Sequence, residues 1–195
     1  MGYWEDEFTD ESASTYMATY GEGVGFELRH KIASLLVPGE WVLDVGCGPG
    51  WNFDHFLEYG PSVCYRGIDA SKRFVKVALE RVKPLNIFKH GDVRRIPEKD
   101  KSFDVVILQD VLEHTNGYKK PLREALRVAR RLVIVTFWHL EDSDTPHIND
   151  DGDDTWGAWY DKREWEKHLK SLGNDWTHER LEIGGRNRDV YTVSV

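Results

Sequence analysis

Three aspartates fall at the ends of three successive apolar runs, and three glycines alternate beside the first. Asp44 lies within Trp41-Val42-Leu43-Asp44-Val45, which leads directly into Gly46-Cys47-Gly48-Pro49-Gly50. Asp69 ends the run that starts at Val63, 23 residues after Gly46, and Asp92 follows the run at 85–89 and Gly91. A strand, a Gly turn and a helix N-terminus leave backbone N–H groups aimed at a ligand. A carboxylate at the tip of the second strand can accept both hydroxyls of a ribose. One at the tip of the third can accept from an adenine amino group. Taken singly, each Asp reads as a turn or helix cap; three in register with a Gly turn read as a nucleoside site.

The turn narrows the ligand further. A dinucleotide fingerprint wants a third Gly where Trp51 stands, and an indole there would push the helix off the strand. No Gly-Lys-Ser/Thr follows, so a P-loop is absent. No basic side chain accompanies the turn, so the expected ligand is a nucleoside with little negative charge.

These residues need a scaffold, and the rest of the chain supplies one. Helices are expected over 26–37, 51–59, 71–82, 121–130 and 161–172, the fourth with Pro121 in its first turn and the last closed by Gly173. Strands are expected over 41–45, 63–69, 85–89, 103–108 and 132–138, alternating with those helices up to the fifth strand. That alternation argues for a parallel sheet with helices on both faces. The tail differs: 177–183 and 189–195 read as a hairpin joined by 184–188, so the last strand is expected to enter antiparallel.

Composition sets the outer limits. The 195 residues, 40% hydrophobic and 31% charged, fit one soluble domain without repeat or linker. The acidic N-terminus has no apolar core, so it does not read as a signal peptide, and no window approaches a membrane span. Two cysteines, Cys47 and Cys64, read as reduced thiols in a cytoplasmic protein. A net charge of −8 weighs against general nucleic-acid binding. The local exception is a basic stripe, Arg123, Arg127, Arg130 and Arg131 around the fourth helix, which reads first as a solvated face.

In combination the motifs resemble the class I S-adenosylmethionine (SAM) dependent methyltransferases, particularly the small single-domain ones similar to ubiquinone-type and related small-molecule enzymes. The matching blocks are Val42 to Gly50, Gly67-Ile68-Asp69-Ala70-Ser71, Gly91-Asp92-Val93, Phe103-Asp104-Val105-Val106 and Gln109-Asp110-Val111-Leu112-Glu113-His114. The resemblance implies a Rossmann-like α/β fold whose seven-stranded sheet has the order 3-2-1-4-5-7-6 with strand 7 antiparallel. It implies that SAM is bound and S-adenosylhomocysteine (SAH) released. The turn at Gly46, Cys47, Gly48 and Gly50 would lie against the methionine part, with Asp44 anchoring it. Asp69 would hold the ribose and Asp92 the adenine amino group, between Ala70 and Val93. The backbone at Gln109 would meet the amino-acid end. Arg29, on the preceding helix, would pair with the methionine carboxylate or stand as a solvated helix arginine. The Lys-Pro-Gly-Gly turn common before strand 5 is missing, so the connection there must be unusually short.

Methyl transfer from a sulfonium is an in-line displacement that gains from alignment in a dry pocket. A hydroxyl or ammonium acceptor must also lose a proton, which favours a general base. His114 and Asp110 after strand 4, and His139 after strand 5, are the candidates, with capping or surface roles as the alternative for each histidine. Aromatics beside the acidic stretch at 141–155, chiefly Trp156 and Trp159 with Tyr160 and Trp165, could hold an amine-bearing acceptor or pack in the core. Residues 1–25, which include Tyr20, are a candidate lid, and 139–165 a candidate substrate loop, within a single domain of 1–195. His139, His147 and the aspartates between them lack a tight metal-ligand spacing, so no metal is expected. The acceptor expected is a small molecule, methylated at O or N. RNA or protein methylation and a catalytically silent SAM-binding partner subunit are the alternatives.

Overall fold

The apolar, β-branched run at 41–45 forms β1 (Trp41–Val45), and everything after Trp41 in it is buried. In the computed structural model, which describes residues 25–138, 140–141, 148–149 and 157–195, this strand lies inside a seven-stranded sheet, between β2 and β4. The others are β2 (Cys64–Asp69), β3 (Phe88–His90), β4 (Phe103–Gln109), β5 (Ala129–Phe137), β6 (Trp176–Ile183) and β7 (Arg186–Ser194). Their order is 3-2-1-4-5-7-6. The first five strands are parallel, and β7 runs antiparallel to both β5 and β6. The expected Rossmann-like sheet is therefore present, including its reversed last strand.

Alternation along the central strands divides the core into two layers. Val42, Val105, Ile107, Leu132 and Ile134 face one layer, packed by α1 (Phe26–Ser34), α2 (Trp51–Tyr59) and α3 (Lys72–Arg81). Leu43, Val106, Leu108, Val133 and Val135 face the other, packed by α4 (Lys119–Val128) and α5 (Lys162–Leu172). Helices on both faces explain why the strands read as continuous apolar runs. For Trp165 and Tyr160 the structure selects core packing over an acceptor pocket: both are buried among Tyr118 and Phe137. Burial of ring area on the sheet outweighs any gain from a cation contact there.

Four of the differences from the sequence reading have a local reason. β3 starts at Phe88 because the Leu85 N–H first closes a turn on Val82 O at 2.9 Å. Helix α4 starts at Lys119, two residues before Pro121, since the missing N–H falls among first-turn groups that have no helical partner anyway. The helix passes directly into β5 at Ala129, so the short connection is no loop at all. Arg130 and Arg131 consequently lie on β5 and do not extend a helical stripe with Arg123 and Arg127. The hairpin turn is the pair Gly184-Gly185, both at positive φ (59° and 74°), not the five residues expected. Two left-handed residues match the twist of the flanking strands, so Arg186 already pairs with Ile183.

After β5, Leu140–Glu141 pairs with Tyr160–Asp161 and Ile148–Asn149 with Gly157–Ala158. Asp161 then caps α5, its carboxylate accepting from the N–H groups of Arg163 and Glu164. No helix among the described residues is long and apolar enough to cross a membrane.

Candidate functional site at the carboxyl edge of the sheet

The Gly turn leaves β1 and folds back on β2. The N–H groups of Gly46 and Cys47 both donate to Ile68 O, at 2.8 and 3.1 Å. Gly46, Gly48 and Gly50 have φ of 75°, 53° and 92°. A Cβ on Gly46 would meet Val111 Cγ2 at 2.4 Å, and one on Gly50 would meet Phe88 Cζ at 2.7 Å. Nothing lies within 4 Å of a Cβ placed on Gly48. Two of the glycines thus let the turn pack against its neighbours, and the middle one faces open space. Cys47 contributes backbone only, for burial pushes its thiol well above the usual range.

The three acids surround this turn in different states. Asp69 accepts from the Gly48 N–H at 2.8 Å and the Ser71 N–H at 2.7 Å, one on each oxygen. Burial raises its carboxyl to about 6 despite those two bonds. Asp44 is buried beneath the turn, where its Oδ2 accepts from Tyr65 Oη at 2.6 Å and Asn52 Nδ2 at 3.1 Å. Burial raises it to about 6 as well, against the pull of those two donors. Asp92 is more open. Partial burial pushes it up, but the bonds and charge of Arg94 outweigh that and leave it below the usual carboxylate range. Ala70 and Val93, each half-buried, follow Asp69 and Asp92. Arg29 is 6% exposed on α1, so it is not the solvated helix arginine of the alternative reading.

Several buried polar atoms near the turn have no partner among the described residues: Asp44 Oδ1, Asn52 Oδ1, His55 Nε2, Gln109 Oε1 and Glu113 Oε2. Such atoms are rare in native proteins, and Asp44 Oδ1 and Asn52 Oδ1, on the residue pair that flanks the Gly turn in sequence, fit a polar ligand there. The described residues present both a cradle and hydrogen-bonding groups for a nucleoside.

The candidate acid–base residues lie past β4, on the segment that covers Gly46. Asp110 has a left-handed backbone (φ 52°); its N–H donates to Thr136 Oγ1, whose hydroxyl donates to Asp110 Oδ1 at 2.6 Å. Burial raises its carboxyl. His114 ends a short 3-10 turn, its ring 6.2 Å from that of Trp138. Glu113, between them, is fully buried and accepts from the Trp138 N–H at 2.8 Å. Burial, and then the charge of Asp110, push it well above the carboxylate range. Sequence reading named Glu113 only within the block Gln109 to His114 and gave it no role, because a Glu in a short turn carries no sign of burial. It also gave no signal for Asn52, Tyr65 or Thr136. Tyr160 holds the same turn in place, its hydroxyl 3.0 and 2.8 Å from the carbonyls of Leu112 and Thr115.

Other candidates fall elsewhere. Tyr20, His139 and Trp156, and with them most of the two candidate substrate segments, lie outside the described residues. Trp159 is half-buried between Ala158 and Tyr160. Three arginines of the basic stripe are engaged at home. Arg127 binds Glu124, Asp100 and the carbonyls of Ile96 and Glu98, Arg130 binds Asp104, and Arg131 binds Glu40. Among the described residues no group of three His, Cys, Asp or Glu side chains is placed to hold a metal.

Comparison with known proteins agrees with this geometry. A family model described as a methyltransferase domain matches residues 43–137. The demethylmenaquinone methyltransferase of Renibacterium salmoninarum is 37% identical over 106 residues, 53% of this chain and 44% of the relative. The norajmaline N-methyltransferase of Rauvolfia serpentina is 33% identical over 106 residues, 50% of this chain and 36% of the relative. The chain thus spans less than half the length of these curated relatives. Among solved structures, the SAH-bound magnesium protoporphyrin IX methyltransferase of Synechocystis PCC 6803 has a TM-score of 0.74 at 19% identity, covering 98% of both chains. A chain from the complex between the Haloferax volcanii Trm112 methyltransferase activator and a methyltransferase reaches 0.78 at 14% identity, covering 100% and 98%. At such identities these structures speak to the fold alone. The matched domain, the strand order and the Gly turn between its acids agree: residues 43–137 carry a methyltransferase domain, and the chain is similar in sequence and fold to the class I SAM-dependent methyltransferases.

Proposed function

We propose that this chain binds SAM at the carboxyl edge of β1, β2 and β3 and transfers its methyl group to an O or N atom of a small molecule. The observation that carries the reading is the open space over Gly48, whose N–H is held by the Asp69 carboxyl at the tip of β2. Each oxygen of Asp69 accepts one backbone N–H and keeps a lone pair for a ribose hydroxyl. Asp92 would take the adenine amino group, with Ala70 and Val93 beside the ring. Gln109 would meet the amino-acid end through its backbone, and Arg29 would neutralise the carboxylate. The bound sulfonium supplies an activated methyl carbon; the chain supplies alignment, exclusion of water and a path for the acceptor's proton. The single-domain organisation, with 1–25 as lid and 139–165 as acceptor loop, belongs to the same reading.

A small acceptor is favoured over RNA because Arg127, Arg130 and Arg131 are committed to internal ion pairs. Relatives acting on menaquinone and alkaloid precursors support that choice by name only. Calorimetry with SAM and SAH tests the donor half. Wild type is expected to bind both, and Asp69→Ala to bind at least tenfold more weakly. Absence of binding, or equal binding by the variant, sinks the proposal.

A further inference from the structure

Thr136 stands where a strand covered on both faces would otherwise carry an apolar side chain. Its neighbours along β5, Leu132 to Val135 and Phe137, are all apolar, and it is fully buried with them. A hydroxyl in that place is costly unless it is hydrogen-bonded. Its oxygen accepts from the Asp110 N–H at 3.0 Å, and its proton goes to Asp110 Oδ1 at 2.6 Å. One buried hydroxyl thus closes on both the backbone and the side chain of a single residue. That residue has an uncommon conformation. Asp110 lies in the left-handed region at φ 52°, which costs any residue with a Cβ energy that its surroundings must offset. Lys101, the other such residue among the described ones, is exposed in a turn, whereas Asp110 follows the carboxyl end of β4. Directly after it, Val111 lies over Gly46, so close that a Cβ on Gly46 would meet Val111 Cγ2 at 2.4 Å. Directly before it, Gln109 pairs with Thr136 across β4 and β5. Residues 109 to 111 therefore wall the Gly turn, and glycines have no side chains with which to hold that wall. The anchor comes from β5.

We propose that Thr136 is a positioning residue for the methyl donor. By holding Asp110 in the left-handed conformation, it sets the backbone of residues 109 to 111 against the Gly turn, where the amino-acid end of SAM binds. This rests on the reading of the chain as a SAM-dependent methyltransferase and adds a residue to that site. Thr136 acts through Asp110 and not on the ligand, so its removal shifts the wall without removing a ligand contact. The hydroxyl, and not the bulk of the side chain, is what the role requires.

The test titrates the full chain and its variants with SAH by calorimetry. Thr136→Val keeps the shape and removes the hydroxyl, and it is expected to weaken SAH binding about tenfold. Thr136→Ser keeps the hydroxyl and should stay within about twofold of wild type. The decisive variant adds Asp110→Gly to Thr136→Val, because glycine occupies the left-handed region with nothing to hold it there. It should recover SAH affinity to within about threefold of wild type. A loss caused by general destabilisation would not be repaired in this way, since glycine also gives the unfolded chain more freedom. Should Thr136→Val fail to fold, Asp110→Asn and Asp110→Ala decide. The first keeps an acceptor and tolerates the left-handed region and should bind SAH as wild type does; the second does neither and should bind about tenfold more weakly. Unchanged affinity in Thr136→Val, equal losses in the valine and serine variants, no recovery on adding Asp110→Gly, or equal affinity of Asp110→Asn and Asp110→Ala overturns the positioning role. Failure of wild type to bind SAH instead overturns the methyltransferase reading and this inference with it.

Discussion

Asp69 and Asp44 have carboxyls raised to about 6 by burial, so the Gly turn is a pH-sensitive place in the molecule. The sign follows from proton counting. Between the ordinary value of 3.8 and about 6, the folded chain holds protons at these sites that the unfolded chain has released. Stability from these groups is therefore highest below pH 4 and falls as pH rises towards 6, by ~3 kcal/mol for each at full effect. Asp92, Asp104 and Glu124 are shifted downward and contribute the opposite slope. The useful readout is thus the difference between wild type and Asp69→Asn in urea unfolding across pH 4 to 7. That difference should move in the variant's favour as pH rises. SAM should show the reverse preference, for ribose hydroxyls donate to an ionised carboxylate. Its Kd is expected to weaken about tenfold from pH 7 to pH 5 in wild type and to stay flat in Asp69→Asn. A pH-independent Kd in wild type would remove Asp69 from ribose binding. These acids were legible in the sequence because each ends a strand next to a glycine or a helix cap. Glu113 was not, because its full burial and its bond from the Trp138 N–H are tertiary features that local patterning cannot reveal.

At the scale of elements, the sequence foresaw every strand of the main sheet, since β-branched runs covered on both faces leave a strong pattern. What it misread was the junction of α4 with β5. The sequence reading grouped four arginines around that helix, whereas the chain changes from helix to strand at Ala129 and puts Arg130 and Arg131 on β5. Arg127 ties that junction to the segment before β4: its guanidinium donates to Glu124, Asp100 and two backbone carbonyls. The carboxylates and the guanidinium are partly exposed, so solvent screens their charge, but the carbonyls depend on Arg127 directly. Arg127→Ala should cost ~2 kcal/mol in urea unfolding, with SAH affinity unchanged. Arg123→Ala, at an exposed position on the same helix, should stay within ~0.5 kcal/mol. Equal effects of the two would mean that Arg127 has no bracing role and return the stripe to the solvent-facing reading.

Across the whole molecule, the Gly turn with its acids and the turn after β4 draw their partners from different stretches of chain. The Gly turn, the three acids and Gln109 all lie within the matched residues 43–137, where strand ends and glycines constrain the sequence. The turn after β4 gathers Glu113, Trp138 from just past β5 and Tyr160 from the 157–161 segment, a meeting that depends on the sheet order 3-2-1-4-5-7-6. A donor that bridges β1, β2, β3 and β4 must couple the two core layers, because those strands carry side chains into both. Ligand binding should therefore stabilise the fold as one unit. SAH at a hundred times its Kd adds ~2.7 kcal/mol to the folded state, which for a chain of this size raises Tm by about 5–10 °C. Hydrogen exchange should slow at residues 44–50, 67–71, 91–94 and 109–114 together, and far less at the β6–β7 hairpin. Protection confined to one of those four segments, or a Tm unmoved by SAH, would show that the acids at the strand ends do not act as a single site.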